Sequence, residues 1–505
     1  MKLSDIQQEI VDCSGNLIVR ASAGTGKTHT MVAKIENELE NNHTHKLIAA
    51  ITFTIKAAKE IRERLTIDTS DCFIGTNNSF AIEEIIKPFA RDVYGEEYNF
   101  DITTNYSLKK DTFEECLEYL RIEHTVCSYN DNKKNFVFEL ALAIVKKSEV
   151  CRKYLKARYF KIYVDEYQDC DKTMHEFFMY ICNEVGINFF VVGDDKQSIY
   201  IWRGAYPDAF KSILRMDSFS KLQLRENYRS CLQIQNYSNL LNDDTFNLYK
   251  PLSDKSSIIL VTTKKDSWVR DIVTYLDMNK SCALLRFSNS DAKIGANALS
   301  ITGTDFTYVP KTPISDITTD VSWLYFAIAQ YFILPKYSVY DFVDEIPEES
   351  IGDKKIIGFI KNKLSKIGEA LSTNDDDCII EVVKNIANYF NYVPSDDHIR
   401  QMISTIVNKE FHSAFQMDEL SHVGITFHSS KGLEYDQVII FANDYALNKQ
   451  DSIYNHYVAV TRAKSKLIIV KIDDANGWAG NVYYNNLDKL IKSRGVNVED
   501  VLTII

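Results

Sequence analysis

The chain has 505 residues, of which 45% are hydrophobic and 25% are charged, and its formal net charge is −12. This composition is typical of a soluble globular protein with room for several domains, and the acidic balance excludes a protein that coats nucleic acid with its whole surface. A local basic groove remains compatible with it, because affinity for phosphates depends on where the cations lie.

The sequence predicts neither export nor a membrane span. No N-terminal apolar stretch resembles a signal peptide. The most apolar run, residues 321–334, is too short to cross a bilayer and is expected to form a buried helix. Ten cysteines are scattered without a CxxC pair or a nearby histidine pair, which indicates neither a zinc site nor a disulfide framework. We therefore expect a cytoplasmic protein with reduced thiols.

The first predicted strand, residues 17–19, leads into a glycine-bearing loop and then a helix. This order forms an anion cradle, because unpaired backbone N–H groups and the helix dipole point at one spot. Lys27 adds a positive charge for the β- and γ-phosphates of ATP, and Thr28 offers a hydroxyl to Mg²⁺. Ala21 stands where the usual pattern has glycine, and the alternative is a chance Gly/Thr-rich turn. The loop consists of Ala21, Ser22, Ala23, Gly24, Thr25, Gly26, Lys27 and Thr28.

A second predicted strand, residues 47–51, leads into Phe53 and a helix with several cations. One interpretation is that the helix only presents a solvated basic face. The other is that the strand end before it presents Phe53 and hydroxyl groups to a polynucleotide. Residues 75–80 form a similar polar loop after a short strand. From about residue 81 to 155 the chain is predicted to be helical and basic, either as a solvated surface or as a nucleic-acid surface.

Two further strands, residues 159–164 and 189–192, are each followed by polar residues. Carboxylates at the end of a parallel strand lie where doubly wound sheets bind ligands. We predict that Asp165 holds Mg²⁺ and that Glu166 acts on the attacking water as base or orienter. Gln197, after the second of these strands, is placed to sense the γ-phosphate.

An aromatic and cationic cluster follows Gln197 in a polar loop. Tyr200, Trp202 and Arg203 suit stacking on unpaired bases. The alternative for Trp202 is a place in the hydrophobic core, which its position beside Arg203 and Gly204 disfavours.

These elements form an ordered set that resembles the UvrD/PcrA/Rep-like family of superfamily 1 DNA helicases. The matching motifs run from residue 3 to residue 464, which is nearly the whole chain. In order they are a glutamine motif, ASAGTGKT, TFTIKAAKEIRER, DEYQD, GDDKQSIYIWRGA, LRENYRS, ITFHSSKGLEY and YVAVTRAK.

The resemblance implies an α/β fold with two RecA-like P-loop NTPase motor domains, each with a mainly helical inserted accessory domain. ATP and Mg²⁺ would bind in the cleft between the motor domains. The implied boundaries are 1–80 and 156–222 for the first motor domain, 81–155 for its insert, 223–310 and 421–505 for the second motor domain, and 311–420 for a reduced second insert.

The resemblance also implies nucleotide-binding roles that the residues alone leave open. Gln7 would read the adenine edge, Tyr228 would stack on the base and Glu434 would contact the ribose. Arg229 and Arg462 are similar to two arginine fingers supplied by the second motor domain. Their planar guanidinium groups suit the charge that develops on the γ-phosphate.

On the DNA side, the resemblance implies a set of residues that touch the single strand. A satisfied core histidine is the alternative for one of them, His428. The family usually has histidine where Asn78 stands, so that DNA contact is expected to be weakened or altered. The implied DNA-binding residues are Phe53, Thr76, Tyr200, Trp202, Arg203, Asn289 and His428.

The compact size and the stretches 163–169, 199–205 and 455–459 resemble the helicase-like subunit of the bacterial Gabija antiphage system. This resemblance implies a hetero-oligomer with a GajA-like nuclease. We predict an ATP-dependent DNA helicase or translocase with 3′–5′ direction. The alternative is a DNA-end-sensing ATPase, a regulatory adaptor of the nuclease with little unwinding activity, which the short inserts and Asn78 favour.

Overall fold

A computed structural model describes residues 3–199, 204–315, 317, 319, 321–347, 354–390, 392–473 and 478–505. The chain divides into two compact units, Met1–Arg229 and Ser230–Ile505.

The first unit alternates strands and helices from its first residues onward. Its elements are α1 (Asp5–Asp12), β1 (Leu17–Ala21), α2 (Lys27–Glu40), β2 (Leu47–Thr52), α3 (Ile55–Arg64), β3 (Phe73–Thr76), α4 (Asn77–Ala81), α5 (Lys87–Tyr94), β4 (Thr103–Lys110), α6 (Phe113–Glu123), β5 (Thr125–Tyr129), α7 (Phe136–Lys147), α8 (Glu149–Arg158), β6 (Tyr159–Val164), α9 (Lys172–Tyr180), β7 (Asn188–Gly193), α10 (Asp208–Leu214) and β8 (Ser220–Leu224).

The main sheet of the first unit is parallel, with the strand order β3-β2-β6-β7-β1-β8. Its central strands are mostly apolar and mostly buried, as helices on both sides of a parallel sheet require, although β1 contains Arg20 and β6 contains Lys161. Ile51 of β2 pairs with Val164 of β6, and Arg20 of β1 pairs with Gly193 of β7. Because parallel strands end at a common edge, the polar segments after β1, β6 and β7 lie at the same edge.

The segment between α4 and β6, predicted to be a mainly helical insert, contains two strands as well as helices. Helices α5 to α8 are present, but β4 and β5 form an additional two-stranded parallel sheet joined by α6. The strands contain β-branched and aromatic residues such as Thr104, Tyr106 and Val126, which favour extended structure. The basic charge of the segment carries no information about that preference.

The first unit extends past residue 222, where the sequence placed the end of the first motor domain. Residues 223–229 group with the first unit because they contact the glycine-bearing loop. The backbone N–H of Tyr228 donates to the carbonyl of Gly24 at 2.9 Å, and β8 itself pairs with β1.

The second unit contains another set of alternating strands and helices, interrupted by a run of helices. Its elements are α11 (Leu232–Leu240), β9 (Ile258–Thr263), α12 (Trp268–Val273), β10 (Cys282–Arg286), α13 (Asn289–Ser300), β11 (Thr307–Tyr308), α14 (Ser322–Ile333), α15 (Val339–Asp344), α16 (Lys354–Thr373), α17 (Asp376–Tyr389), α18 (Asp396–Val407), β12 (His422–Thr426), β13 (Tyr435–Phe441), α19 (Gln450–Val460), β14 (Ala463–Ile472), α20 (Trp478–Lys492) and β15 (Thr503–Ile504).

The sheet of the second unit is also parallel, with the order β11-β12-β10-β13-β14-β9-β15. Helices α14 to α18 enclose a separate apolar core. The apolar run predicted to form a buried helix is α14, and most of its side chains are buried. Helix α16 buries one stripe of side chains, among them Ile360 and Leu364, as its amphipathic pattern predicts.

No helix within the described ranges is both long enough and apolar enough to span a membrane.

Candidate nucleotide and nucleic-acid sites

The loop between β1 and α2 depends on two glycines in left-handed backbone conformations. Gly24 has φ 73° and Gly26 has φ 81°. A Cβ atom on Gly24 would lie 2.7 Å from both the Cβ of Arg229 and the Oδ1 of Asn227, and one on Gly26 would lie 2.9 Å from the Nε2 of Gln7. Glycine is therefore required at both positions by conformation and by close approach.

This loop contains an internal hydrogen bond just before the start of α2. The hydroxyl of Thr25 donates to the carbonyl of Ser22 at 2.8 Å. Gly26 is the N-cap of the 14-residue helix α2, and Lys27 is its first residue. A helix N-terminus beside a left-handed glycine turn is suited to bind the phosphates of a nucleotide.

Lys27 contacts the predicted catalytic carboxylate directly. Its Nζ lies 3.2 Å from the Oε1 of Glu166, and both side chains are partly shielded from solvent. Glu166 itself has φ 50°, an uncommon conformation for a residue with a side chain. The oxygen Oδ1 of Asp165 accepts the backbone N–H of Glu166 at 2.8 Å, and the amide of Gln168 donates to the Glu166 carboxylate. The structure thus brings together Lys27, Asp165 and Glu166, which are far apart in sequence.

The segment after β7 contains a buried charged network around Asp194. The Nε2 of Gln197 donates to the Oδ2 of Asp194 at 2.8 Å, and the Nζ of Lys196 lies 2.7 Å from its Oδ1. Burial acts to raise the pKa of Asp194, but the ammonium groups of Lys196 and Lys27 outweigh it, so this pKa lies below its usual value. Asp194 is therefore a buried anion that fixes Gln197.

Gln168 joins the segments after β6 and β7. Its Oε1 accepts the backbone N–H of Asp194 at 3.0 Å, and its carbonyl accepts the hydroxyl of Ser198 at 3.1 Å. Sequence reasoning did not single out Gln168 or Asp194. Both lie in motifs quoted above, DEYQD and GDDKQ, but only their burial and contacts show that they position Glu166 and Gln197.

Gln7 and Tyr228 lie beside the same loop. The side chain of Gln7 accepts the N–H of Ser4 at 3.0 Å and donates to the carbonyl of Thr25 at 3.5 Å. The ring of Tyr228 is 54% exposed, and its hydroxyl donates to Glu226. An exposed ring next to a phosphate loop is available for stacking on a base.

The two predicted arginine fingers differ in their surroundings. The Cβ of Arg229 lies against Gly24, and its backbone N–H donates to Asn227 at 2.8 Å. Arg462 is 1% exposed within the second unit. Its guanidinium donates to the carbonyls of Val458 and Leu433 at 3.0 and 3.1 Å. The Nη2 of Arg462 also donates to the hydroxyl of Thr461 at 3.2 Å.

Glu434, the predicted ribose contact, lies in the second unit after β12. Its Oε1 forms an ion pair with the Nζ of Lys464 at 2.8 Å. Both side chains are well exposed, so the pair is open to exchange with a ligand.

The predicted DNA-binding residues of the first unit are only partly described. Phe53 is half-buried against the core of the first unit. Thr76 is buried and caps α4 by accepting the backbone N–H of Ser79 at 3.1 Å. Tyr200, Trp202 and Arg203 lie outside the described residues.

In the second unit, Asn289 and His428 lie at the ends of neighbouring strands. Asn289 is exposed and is the first residue of α13, directly after β10. His428 is half-buried after β12, and its ring packs on Phe427 with a centroid distance of 3.9 Å. His428 is thus partly accessible to solvent, and its contact with DNA stays a prediction.

The edge of the first sheet also fits Mg²⁺ bound together with a nucleotide. Asp165 is a buried carboxylate at this edge, and Thr28 is the second residue of α2. Among the described residues there is no group of three or more His, Cys, Asp and Glu side chains that could hold a metal ion. The oxygen donors of Asp165 and Thr28 suit Mg²⁺, which proteins commonly bind through one or two side chains plus the phosphates of the substrate.

Comparison with known proteins gives the family. Family models described as an AAA domain and as a UvrD-like helicase C-terminal domain match residues 7–203 and 423–470. The chain is 38% identical over 475 residues to the Gabija protein GajB of Bacillus cereus (strain VD045), covering 92% of this chain and 94% of that protein. The chain belongs to the GajB branch of the UvrD-like helicase family.

Longer members of the UvrD-like helicase family are more distant. The ATP-dependent DNA helicase Rep of Escherichia coli (strain K12) is 28% identical over 48% of this chain and 43% of Rep. DNA helicase II of Haemophilus influenzae is 27% identical over 59% of this chain and 50% of that protein. The chain thus spans half or less of these two relatives.

The family membership agrees with the fold that the motifs predicted, two α/β units with parallel sheets and helical insertions. The first family model covers the phosphate loop, Asp165 and Glu166. The second covers His428, Glu434 and Arg462.

Proposed function

We propose that this member of the GajB branch is an ATP hydrolase coupled to DNA, a helicase or translocase with 3′–5′ direction. It would act in bacterial antiphage defence together with a GajA-like nuclease. The observation that carries the proposal is the contact between Lys27 and Glu166 at 3.2 Å, made where two parallel strands end beside a glycine cradle. The family relationship to GajB and Rep supports the DNA and defence parts of the proposal.

Lys27 has two competing partners in this proposal. Its ammonium group lies 3.2 Å from the Glu166 carboxylate. When ATP binds, Lys27 turns to the phosphates, and Glu166 becomes able to accept the proton of the attacking water. Asp165 and Thr28 would hold Mg²⁺, which supplies positive charge for the phosphate oxygens. The finger roles of Arg229 and Arg462 and the base and ribose contacts of Gln7, Tyr228 and Glu434 remain predictions.

The first experiment separates binding from turnover. Lys27→Ala should abolish both nucleotide binding and hydrolysis. Glu166→Gln should still bind ATP, because the amide keeps the shape, but should lose about a hundredfold or more in turnover because the base is gone. Nucleotide affinity and ATP hydrolysis with and without single-stranded DNA are the measurements.

A matched control exists in the second unit, where Lys336 and Glu419 form an exposed ion pair with a 3.4 Å contact. Lys336→Ala and Glu419→Gln should leave binding and turnover unchanged. Near wild-type hydrolysis by Glu166→Gln would remove Glu166 from its assigned role.

A regulatory adaptor that hydrolyses ATP without unwinding is the second candidate, favoured by Asn78 in place of the family histidine. Strand displacement on 3′-tailed, 5′-tailed and blunt duplexes, with and without the nuclease, distinguishes the two. A helicase displaces the strand from the 3′-tailed duplex. An adaptor hydrolyses ATP on the same DNA without displacement.

A further inference from the structure

The loop between β10 and α13 exposes an aromatic ring that the motifs did not assign. Phe287 is 52% exposed, directly before Ser288 and Asn289. A single exposed apolar side chain needs no explanation by itself. Phe287 requires one because its backbone is fixed and its neighbours are aromatic.

The backbone of Phe287 is fixed by the residue before it. Arg286 donates from Nε and Nη2 to the two carboxylate oxygens of Asp444 at 2.7 and 3.0 Å. The same carboxylate accepts the backbone N–H of Phe287 at 3.1 Å. The guanidinium carbon of Arg286 lies 3.9 Å from the ring centroid of Phe441. The exposed ring therefore projects from a loop that is held in place by a bidentate ion pair and a cation–π contact.

Two further rings lie beside Phe287. Its ring centroid is 5.7 Å from that of Phe427 and 6.2 Å from that of His428, the latter in an edge-to-face arrangement. Phe427 is fully buried, so it forms the floor of the cluster. Arg286 pairs with Thr426 in the register of β10 and β12, so both loops leave the same edge of the sheet.

This edge is the carboxyl end of the strands, where parallel sheets of α/β proteins place their ligands. An exposed amide, Asn289, lies two residues after Phe287 in the chain, and an exposed hydroxyl, Ser429, directly follows His428. A flat apolar face with hydrogen-bonding groups on nearby residues of the two loops matches an unpaired nucleobase, which has a π-face and polar edges. Stacking of this kind is independent of base identity.

We propose that Phe287 is a stacking surface for a base of single-stranded DNA, with His428 beside it. This inference rests on the proposed function, because it names a contact of the DNA that the enzyme would move along. The base stacks against the exposed face of the Phe287 ring. Phe427 and the Arg286–Asp444 ion pair hold that ring in position.

The test compares Phe287→Ala and Phe287→Trp with the wild type on two probes. One probe is a fluorescent oligothymidylate, and the other has the same length and backbone but abasic sugars. Phe287→Ala should bind the oligothymidylate about tenfold more weakly, the effect of losing one stacked base. It should bind the abasic probe as the wild type does. Phe287→Trp should restore the affinity for bases, because indole also stacks.

Tyr340→Ala is the matched control. It removes an aromatic ring that is 67% exposed, at α15 of the same unit. Its affinity for both probes should equal that of the wild type. Thermal melting of each variant accompanies the binding measurements.

The outcomes separate this inference from the proposed function. If the wild type binds the oligothymidylate and Phe287→Ala binds it equally well, Phe287 does not stack on a base and the inference is wrong. Equal weakening on both probes, with a lowered melting temperature, would make Phe287 a structural residue and also contradict the inference. If the wild type binds neither probe and DNA does not stimulate its ATP hydrolysis, the proposed function itself is wrong.

Discussion

Two arginines that the same resemblance would place on the γ-phosphate lie in different environments. Arg229 is half-buried beside the phosphate loop, whereas Arg462 is fully buried among carbonyl groups of its own unit. A buried guanidinium that donates to two carbonyls and a hydroxyl contributes to folding whatever else it does.

We therefore predict different stability effects for the two lysine substitutions. Arg462→Lys should destabilise the protein by about 2–4 kcal/mol, because one ammonium group cannot replace the fork that satisfies two carbonyls. Arg229→Lys should leave the melting temperature nearly unchanged and reduce ATP turnover. Thermal melting without nucleotide, beside steady-state hydrolysis, measures both effects. Equal melting temperatures for the two variants would contradict the structural role of Arg462.

At the scale of elements, one half-buried carboxylate connects helix α2 to strand β6. Glu38 of α2 accepts a hydrogen bond from the Nζ of Lys161 at 2.6 Å and pairs with Lys34 at 2.9 Å. The hydroxyl of Tyr163 also donates to it. The helix that begins at Lys27 is thus held to the strand that precedes Asp165, so this contact supports the geometry of the phosphate loop.

Glu38→Gln should therefore destabilise the first unit by about 3–5 kcal/mol, because it leaves two buried lysines without their counter-charge. Glu83→Gln is the control, since Glu83 forms an exposed pair with Lys87 at 2.6 Å and should cost less than about 1 kcal/mol. Denaturant unfolding at neutral pH measures both. If Glu38→Gln is as stable as the control variant, Glu38 does not hold helix α2 to strand β6.

The stabilising effect of Glu38 should also depend on pH. Burial acts to raise the pKa of Glu38, but Lys161, Tyr163 and Lys34 outweigh burial, so the folded-state pKa is lowered. Its contribution is complete above the ordinary value of about 4.3 and is lost as the pH falls through the lowered folded-state pKa. The difference in unfolding free energy between wild type and Glu38→Gln should shrink over that acid range.

At the scale of the whole molecule, the cysteines are distributed without cross-links. All ten are free thiols, six of them buried and four half-buried. Burial raises the pKa of several thiols, including Cys151 and Cys182, and so disfavours the reactive thiolate.

We expect a thiol reagent to show this division. In the folded protein at most four thiols should react quickly, and all ten should react in denaturant. The melting temperature should be the same with and without a reducing agent. A reductant-sensitive melting temperature would contradict the absence of structural disulfides.

The sequence alone determined the strands β1, β2, β3, β6 and β7, the phosphate loop and the placement of Asp165 and Glu166 at a strand end. These features follow from local patterns: buried apolar runs, a glycine turn and a helix start, each contained in a few consecutive residues. The order of the motifs then indicated the family, which the comparison with GajB confirmed.

Only the tertiary structure decided which of these side chains meet. The pairing of β4 with β5, the burial of Arg462, the bridge made by Gln168 and the exposed ring of Phe287 are not specified by any single motif. Each depends on residues brought together from separate strands and loops, such as Arg286 with Asp444. Burial and contact are properties of the folded chain, so a pattern within one segment cannot specify them.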